Sequence, residues 1–342
     1  MSPKFRGGSD GWLDDEGRHG SQPGSRKKAS RERAAELPLE KANATVIEVY
    51  PNQCRVILDG ELKTLLCPYR RHGVRKQADI RERTFVAVGD RVVIAEIGKE
   101  VGKESGIVEG VCRRTNRLSR PAPGRDEGSL RHVIGANLDR VVIVASAQTP
   151  DFSPGLVDRF LVAIQAAGID PILCITKIDL VDSPISSPWS VYSKLGFPVF
   201  EVSSKTELGV GEFREKILGQ RVLFCGQSGV GKTSLLRVLL GTEVGKVNPV
   251  SLATGKGKHT TTSTVLLIGP KGAKWMDTPG MSEFGLADVK PEELARYYPE
   301  FTGLDCGQIG CYHVGEAGCK AQEHARYTGY VRIFQSLKAG GH

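Results

Sequence analysis

Hydrophobic and polar positions along the chain fall into three regimes. From Ala44 onward, apolar residues alternate with polar ones over short runs: 44–50, 53–58, 62–68, 91–96 and 106–113, punctuated by Asp59-Gly60, Gly89-Asp90 and Gly98. Five such segments predict a small barrel. From residue 116 to 285 strand and helix patterns alternate instead. Val141-Val142-Ile143-Val144-Ala145 is a continuous run of the kind found in parallel strands covered on both faces. Ser153 is placed to cap a helix opened by Pro154, with Leu156, Phe160 and Ile164 on one face and Gly168 at its end. Strands follow at 171–176, 198–202, 221–225, 265–268 and 273–276, with helices at 189–195 and 234–240. The third regime begins past residue 286: a helix opened by Pro291 over 291–298, and an amphipathic stretch at 321–337. This last segment has too little apolar material for a core of its own.

Length and charge refine the picture. The 342 residues are enough for two or three domains, and 39% hydrophobic with 25% charged residues is ordinary for a globular protein. No apolar run approaches the ~18 residues of a membrane span, and residues 1–15 lack the apolar core of a secretory signal, so a cytosolic protein is expected. Residues 1–41, with basic knots at Arg26-Lys27-Lys28 and Arg31 to Arg33, read as a disordered basic arm, either an idle solvated tail or an electrostatic reach toward RNA. The net charge of +8 favours polyanionic partners. The barrel at 42–115 fits the OB type, and Arg55, Lys63, Tyr69, Arg70, Arg71, His72, Arg75, Lys76, Arg81 and Arg83 crowd it. That density favours an RNA-binding face over a merely solvated one.

Chemistry enters through short motifs at strand ends. Gly226-Gln227-Ser228-Gly229-Val230-Gly231-Lys232-Thr233, followed by Ser234, fits G-x-x-x-x-G-K-[ST] between a strand and a helix. Its backbone N–H groups would cradle phosphate, Lys232 would add a point charge and Thr233 a hydroxyl for Mg²⁺. Thr176-Lys177-Ile178-Asp179 is of the [NT]-K-x-D type, in which a carboxylate accepts from two adjacent N–H groups of guanine that adenine lacks. Ser203-Ser204-Lys205 matches the loop that meets the guanine carbonyl, and Asp277-Thr278-Pro279-Gly280 matches D-x-x-G, with Asp277 toward Mg²⁺ and Gly280 toward the γ-phosphate. Among eight cysteines, Cys54, Cys67, Cys112, Cys174 and Cys225 sit singly in apolar runs and read as core thiols. Cys306, Cys311, His313 and Cys319 instead form C-x4-C-x-H-x5-C, a soft, closed, four-ligand set suited to structural Zn²⁺.

The guanine motifs precede the phosphate loop, whereas ordinary GTPases have the reverse order; this is a circular permutation. With a barrel in front and the Cys/His cluster behind, residues 44–320 closely resemble the small-ribosomal-subunit-dependent GTPase A family, RsgA or YjeQ. The resemblance implies a multidomain α/β protein: an arm at 1–41, an OB-fold RNA-binding domain at 42–115, a circularly permuted GTPase domain at 116–285 and a helical zinc-binding domain at 286–342. It implies GTP hydrolysis, with Mg²⁺ and one structural zinc, in late maturation of the bacterial small subunit, with rRNA bound through the OB and zinc domains. A GTP-switched OB-fold protein acting on another RNA is the alternative, and a monomer is expected. Thr176 stands where many members have asparagine.

Met281 follows Gly280 where many GTPases carry a water-orienting glutamine, a task methionine cannot perform. The family's switch segment pairs a histidine with threonines, matched by His259-Thr260-Thr261-Thr262. His259 is therefore a candidate for positioning water, against the plain alternative of a solvated loop histidine, and Thr260 or Thr261 for ligating Mg²⁺. Because the chain is permuted, the segment after Gly280 leads into the zinc lobe, and residues 281–286 would report the γ-phosphate to that lobe.

Overall fold

The computed structural model describes residues 37–61, 63–69, 84–100, 103–121, 131–181, 187–241, 264–280, 285–286, 288–307 and 309–340. The first sheet joins β1 (Ala44–Tyr50), β2 (Gln53–Leu58), β3 (Thr64–Pro68), β4 (Arg91–Glu100) and β5 (Lys103–Val111) in the order β3-β2-β1-β4-β5. Every pairing is antiparallel, and a parallel bridge from Tyr69 to Val108 brings the two outer strands together, as an OB-type barrel requires. Ala44, Val46, Cys54, Val56, Leu65, Cys67, Val92, Ile94 and Val108 fill its interior. Of the expected basic face, Arg55 pairs with Glu48 at 3.0 Å and the Tyr69 hydroxyl donates to the Tyr50 carbonyl at 2.8 Å. Arg70, Arg71, His72, Arg75, Lys76, Arg81 and Arg83 lie outside the described residues.

A hairpin of β6 (Arg117–Pro121) and β7 (Arg131–Ala136), which the pattern did not predict, leads into the central sheet. There β8 (Arg140–Ser146), α1 (Pro154–Ala166), β9 (Asp170–Thr176), α2 (Ser190–Lys194), β10 (Val199–Glu201), α3 (Val210–Ile217), β11 (Arg221–Cys225), α4 (Lys232–Leu240), β12 (Val265–Ile268) and β13 (Lys274–Asp277) follow in turn. Strand order is β10-β9-β8-β11-β13-β12, all parallel except β12. The strands that carry motifs thus fall into two neighbouring pairs, β10-β9 and β11-β13, on either side of β8, although they are far apart in the chain. Ser153 occupies the N-cap of α1 without a side-chain bond, so Pro154, whose φ is already helical, sets the start. The helix α3 was also not anticipated, although Val210, Phe213 and Ile217 fall at helical spacing and are buried.

Barrel and sheet are bonded to each other. The Asn137 amide donates to the Gly89 carbonyl at 2.9 Å, and Lys274 Nζ to Thr45 Oγ1 at 3.2 Å. Asp90, fully buried, accepts from Arg114 Nε and Nη2 at 2.7 and 2.9 Å and from the Ala87 N–H at 2.7 Å.

The C-terminal lobe departs from its sequence pattern. Residues Pro291–Tyr297 form a 3-10 rather than an α-helix, and the amphipathic stretch splits into a 3-10 turn, Lys320–Glu323, and α5 (Tyr327–Lys338). Its core is aromatic: Tyr298, Phe301, Tyr330 and Phe334 are buried, with Tyr298 5.3 Å from Phe301 and 5.0 Å from Tyr330. A clasp fastens it to the central sheet's α1. Arg326, 2% exposed, donates from Nε to Asp158 Oδ1 at 2.7 Å and from Nη1 to both Glu300 oxygens at 3.2 Å. Its guanidinium lies 4.4 Å from the Tyr298 ring and 5.3 Å from that of Tyr192, whose hydroxyl also donates to Asp158. No helix among the described residues is long and apolar enough to cross a membrane.

Candidate nucleotide site and metal centre

The phosphate loop leaves the buried centre of the sheet, with β11 flanked by β8 and β13. Gly226 has φ +145, and a Cβ there would overlap the Val144 carbonyl oxygen, so only glycine lets the chain turn off β11. The turn delivers Lys232 to the first residue of α4, with Thr233 and Ser234 in the first helical turn behind it. Lys232 is buried, and its Nζ donates to the carbonyls of Gly226 at 2.7 Å and Gln227 at 3.0 Å. Burial holds this ammonium below the ordinary lysine value, with Asp277 and Cys225 opposing the shift. A buried cation ringed by loop carbonyls, at a helix N-terminus, is poised for a polyanion.

The [NT]-K-x-D segment is wired directly to that loop. The Thr176 hydroxyl lies 2.5 Å from the Val230 carbonyl and 3.2 Å from that of Ala145, so threonine here ties β9 to the phosphate loop. Lys177, at φ +58, sends Nζ along the loop to the Gly229 carbonyl at 2.7 Å and to the Thr149 carbonyl. Thr149 belongs to none of the sequence motifs, so nothing in the sequence marks it. Ile178 N–H bonds the Val202 carbonyl at 3.3 Å, which brings the ends of β9 and β10 together. Ser203, fully buried, donates its hydroxyl to Asp179 Oδ1 at 2.7 Å and accepts from the N–H groups of Lys205 and Thr206, both at 3.2 Å. Ser204 is half-buried within this turn, and Asp179 and Lys205 are exposed. One carboxylate oxygen is thereby anchored.

Asp277, the last residue of β13, stands level with Phe224 of β11 and is 4% exposed. Thr278 donates to the Phe224 carbonyl at 2.7 Å, which holds the following turn against the phosphate loop. The approach is closest at Gly280: a Cβ there would lie 2.9 Å from Ser228 Cα and 3.0 Å from its N. The four motifs therefore converge at the carboxyl edge of one sheet, where α/β folds bind ligands. Thr233 and Asp277 offer hard oxygen donors at this edge, the chemistry Mg²⁺ takes. His259, Thr260, Thr261, Thr262 and Met281 lie outside the described residues.

The second centre is in the lobe. Ligand atoms of Cys306, Cys311, His313 and Cys319 all lie within 4.8 Å of one another. His313 Nδ1 is 3.5, 3.6 and 3.4 Å from the sulfurs of Cys306, Cys311 and Cys319, and Cys306 is 3.8 Å from Cys319. A zinc tetrahedron with arms of about 2.3 Å to sulfur and about 2.0 Å to nitrogen has edges near 3.8 Å (S–S) and near 3.5 Å (S–N). The donor set fits that ion in type and in size. Glu316, which the motif omits, accepts from the N–H groups of Tyr312 at 2.9 Å and Val314 at 2.6 Å and so braces the ligand loop.

Comparisons with known proteins agree with this architecture. A sequence profile of the RsgA GTPase family matches residues 111–287. The chain is 36% identical over 286 residues to the small ribosomal subunit biogenesis GTPase RsgA of Yersinia enterocolitica, covering 78% of this chain and 80% of that one. It is 37% identical over 268 residues to the protein of that name from Sodalis glossinidius, covering 74% and 76%. Among solved structures, YjeQ from Thermotoga maritima superposes with a TM-score of 0.64 at 28% identity over 87% of this chain and 98% of that one. YloQ, a circularly permuted GTPase, superposes with a TM-score of 0.59 at 26% identity, over 86% and 94%. The permuted sheet, the phosphate loop at its centre and these similarities lead to one conclusion: the chain belongs to the RsgA GTPase family.

Proposed function

We propose that the protein hydrolyses GTP to GDP and phosphate as a cytoplasmic factor in biogenesis of the small ribosomal subunit. The observation that carries the nucleotide choice is the bond from Ser203 to Asp179, with Lys177 laid along the phosphate loop. It anchors a carboxylate that can accept from the two neighbouring N–H groups that guanine has and adenine lacks. In this reading residues 176–179 and 203–205 hold the base. Residues 226–234 hold the phosphates, with the Lys232 ammonium against the charge that develops between the β and γ groups. Thr233, Asp277 and one of Thr260 and Thr261 would hold Mg²⁺, which supplies charge neutralisation when bound. Gly280 N–H turns toward the γ-phosphate, and His259 orients the attacking water.

The ribosomal assignment rests on the likeness to the small ribosomal subunit biogenesis GTPases of Yersinia enterocolitica and Sodalis glossinidius. In it residues 1–41 are a basic arm, 42–115 an rRNA-binding barrel, 116–285 the GTPase domain and 286–342 a zinc-stabilised lobe, and the protein works as a monomer. Turnover should be slow alone and rise by at least about tenfold with purified small subunits. Co-sedimentation with those subunits should be stronger in a non-hydrolysable GTP analogue than in GDP. Equal turnover with and without subunits, together with no nucleotide preference in binding, would sink the assignment and leave an RNA-binding switch for another RNA.

A further inference from the structure

The loop between β8 and α1 carries no nucleotide motif, yet it meets two of them. Pro150 reaches the phosphate loop: a Cβ on Gly229 would lie 3.8 Å from Pro150 Cδ, an ordinary packing distance. One residue earlier, the Thr149 carbonyl accepts from Lys177 Nζ, which also donates to the Gly229 carbonyl at 2.7 Å. The ammonium of the guanine motif is thus held from two sides, by one carbonyl of the phosphate loop and one of this loop. Thr149 turns its carbonyl there at φ +53, a conformation that a β-branched residue adopts only where its surroundings impose it. Ser146, buried at the end of β8, supplies part of that constraint. Its hydroxyl donates to the Pro150 carbonyl at 2.6 Å and closes the turn over residues 147–149. The Ala147 N–H, bonded to the Thr176 carbonyl at 2.9 Å, pins the start of the same turn beside the guanine motif.

We infer that Ser146 is a positioning residue for guanine recognition. Its hydroxyl fixes the turn that presents the Thr149 carbonyl, the carbonyl fixes the Lys177 ammonium, and the Lys177 stem then lies ready along the base. The inference rests on the guanine-nucleotide reading above and adds to it a loop outside every motif. A free lysine stem gives up rotamer freedom when a base packs on it, whereas a stem tethered through its ammonium has given it up beforehand. One carbonyl would leave the ammonium free to pivot into water; two, from separate loops, set its direction. The contact concerns the base and not the phosphates, so its loss should weaken GDP and GTP alike. A serine that merely capped its own loop would make the same bond, but its effect on nucleotide affinity would not depend on Lys177.

The test is fluorescent-nucleotide titration of the full chain with GDP and with a non-hydrolysable GTP analogue. Ser146→Ala should weaken both by the same factor, about three- to tenfold, the range of one hydrogen bond's net worth. Ser146→Thr, which keeps the hydroxyl, should recover most of that affinity. In a Lys177→Met background, Ser146→Ala should change affinity by less than about twofold, because the group through which it acts is gone. A second measurement leaves position 146 intact: amide exchange over residues 147–151 of the parent should slow when GDP binds, and Lys177→Met at saturating GDP should remove that slowing. Parent affinity in Ser146→Ala, an undiminished loss in the Lys177→Met background, or loop exchange indifferent to GDP would overturn the assignment. A parent chain that binds adenine nucleotides as tightly as guanine ones would refute the guanine reading itself, and the positioning role with it.

Discussion

Replacing Arg326 by methionine tests what holds the C-terminal lobe to the GTPase sheet. Methionine keeps most of the apolar length and removes the guanidinium. Asp158 and Glu300 are then left 2% and 4% exposed, having lost bonds of 2.7 Å and 3.2 Å, and the Tyr298 ring loses the cation 4.4 Å away. Breaking a buried ion pair by removing one partner costs about 3–5 kcal/mol, most of it the penalty of the stranded charge. That is a large fraction of the ~5–15 kcal/mol that holds a domain together. The expected result is loss of the lobe's protection against protease and a matching fall in unfolding free energy from urea titrations of zinc-loaded protein. Adding Asp158→Asn to Arg326→Met should recover part of the loss, because one stranded carboxylate is gone, and the cycle of single and double variants isolates the coupling.

The same variant has a signed pH dependence. Burial holds the Asp158 carboxyl above the usual carboxylate value even with Arg326 opposing it, and without Arg326 it must rise further. A folded-state pKa above the unfolded one gives stability that is full below the unfolded value and lost as pH rises through the folded value. The deficit of Arg326→Met should therefore be smaller at pH 5 than at pH 8. A deficit under about 1 kcal/mol at neutral pH, or one that grows on acidification, would refute the clasp as the main tie.

Two further outcomes follow from the two centres. Gly280→Ala puts a Cβ 2.9 Å from Ser228 Cα, so the turn must retreat from the phosphate loop. A charged hydrogen bond is worth about 1.5–3 kcal/mol, so affinity for a GTP analogue should fall about tenfold or more while GDP affinity is kept, as read by fluorescent-nucleotide titration. Retained preference for the triphosphate would count against Gly280 as the γ-phosphate contact. Chelating the metal should expose the lobe around residues 301–320 to protease and leave guanine nucleotide binding nearly unchanged, since all four ligands belong to the C-terminal lobe. Proteolysis indifferent to chelation would remove the metal from the fold.

Which of these features could be read from the sequence has a physical cause. A phosphate loop or a guanine motif is a local demand: the chemistry needs given residue types within eight positions at a strand end, and Gly226 or Asp179 answers it whatever the rest of the chain does. The helix α3 is equally local, with Val210, Phe213 and Ile217 on one buried stripe. The β6–β7 hairpin and the Arg326 clasp are different. Arg326 meets Asp158 across 168 residues, and inside an amphipathic stretch an arginine reads as a surface charge. Burial of such a group is decided by the tertiary partner, which no window of sequence contains.

The permutation itself shows why motif order could change without loss of the site. The carboxyl edge is assembled by strand order, β10-β9-β8-β11-β13-β12, so β11 keeps β8 and β13 beside it wherever the chain is cut. What the cut does change is where appended bodies attach. The chain enters the sheet from β7 and, after β13, continues toward Asp288, and Arg131 of β7 forms an ion pair with Asp288. Entry at Arg140 and exit after Asp277 lie at opposite edges of the parallel strands, and the Arg131–Asp288 pair ties the hairpin before the sheet to the segment that leaves it. Here the segment that follows Gly280, the residue packed on the phosphate loop, is also the only covalent link from sheet to lobe. If Arg326 clasps that lobe to α1, a retreat of Gly280 cannot swing the lobe freely; it must either strain the clasp or be absorbed between residues 280 and 288. Comparing the Gly280→Ala effect on subunit affinity with and without Arg326→Met separates these: dependence of one on the other places the strain in the clasp, and simple additivity places it in the link.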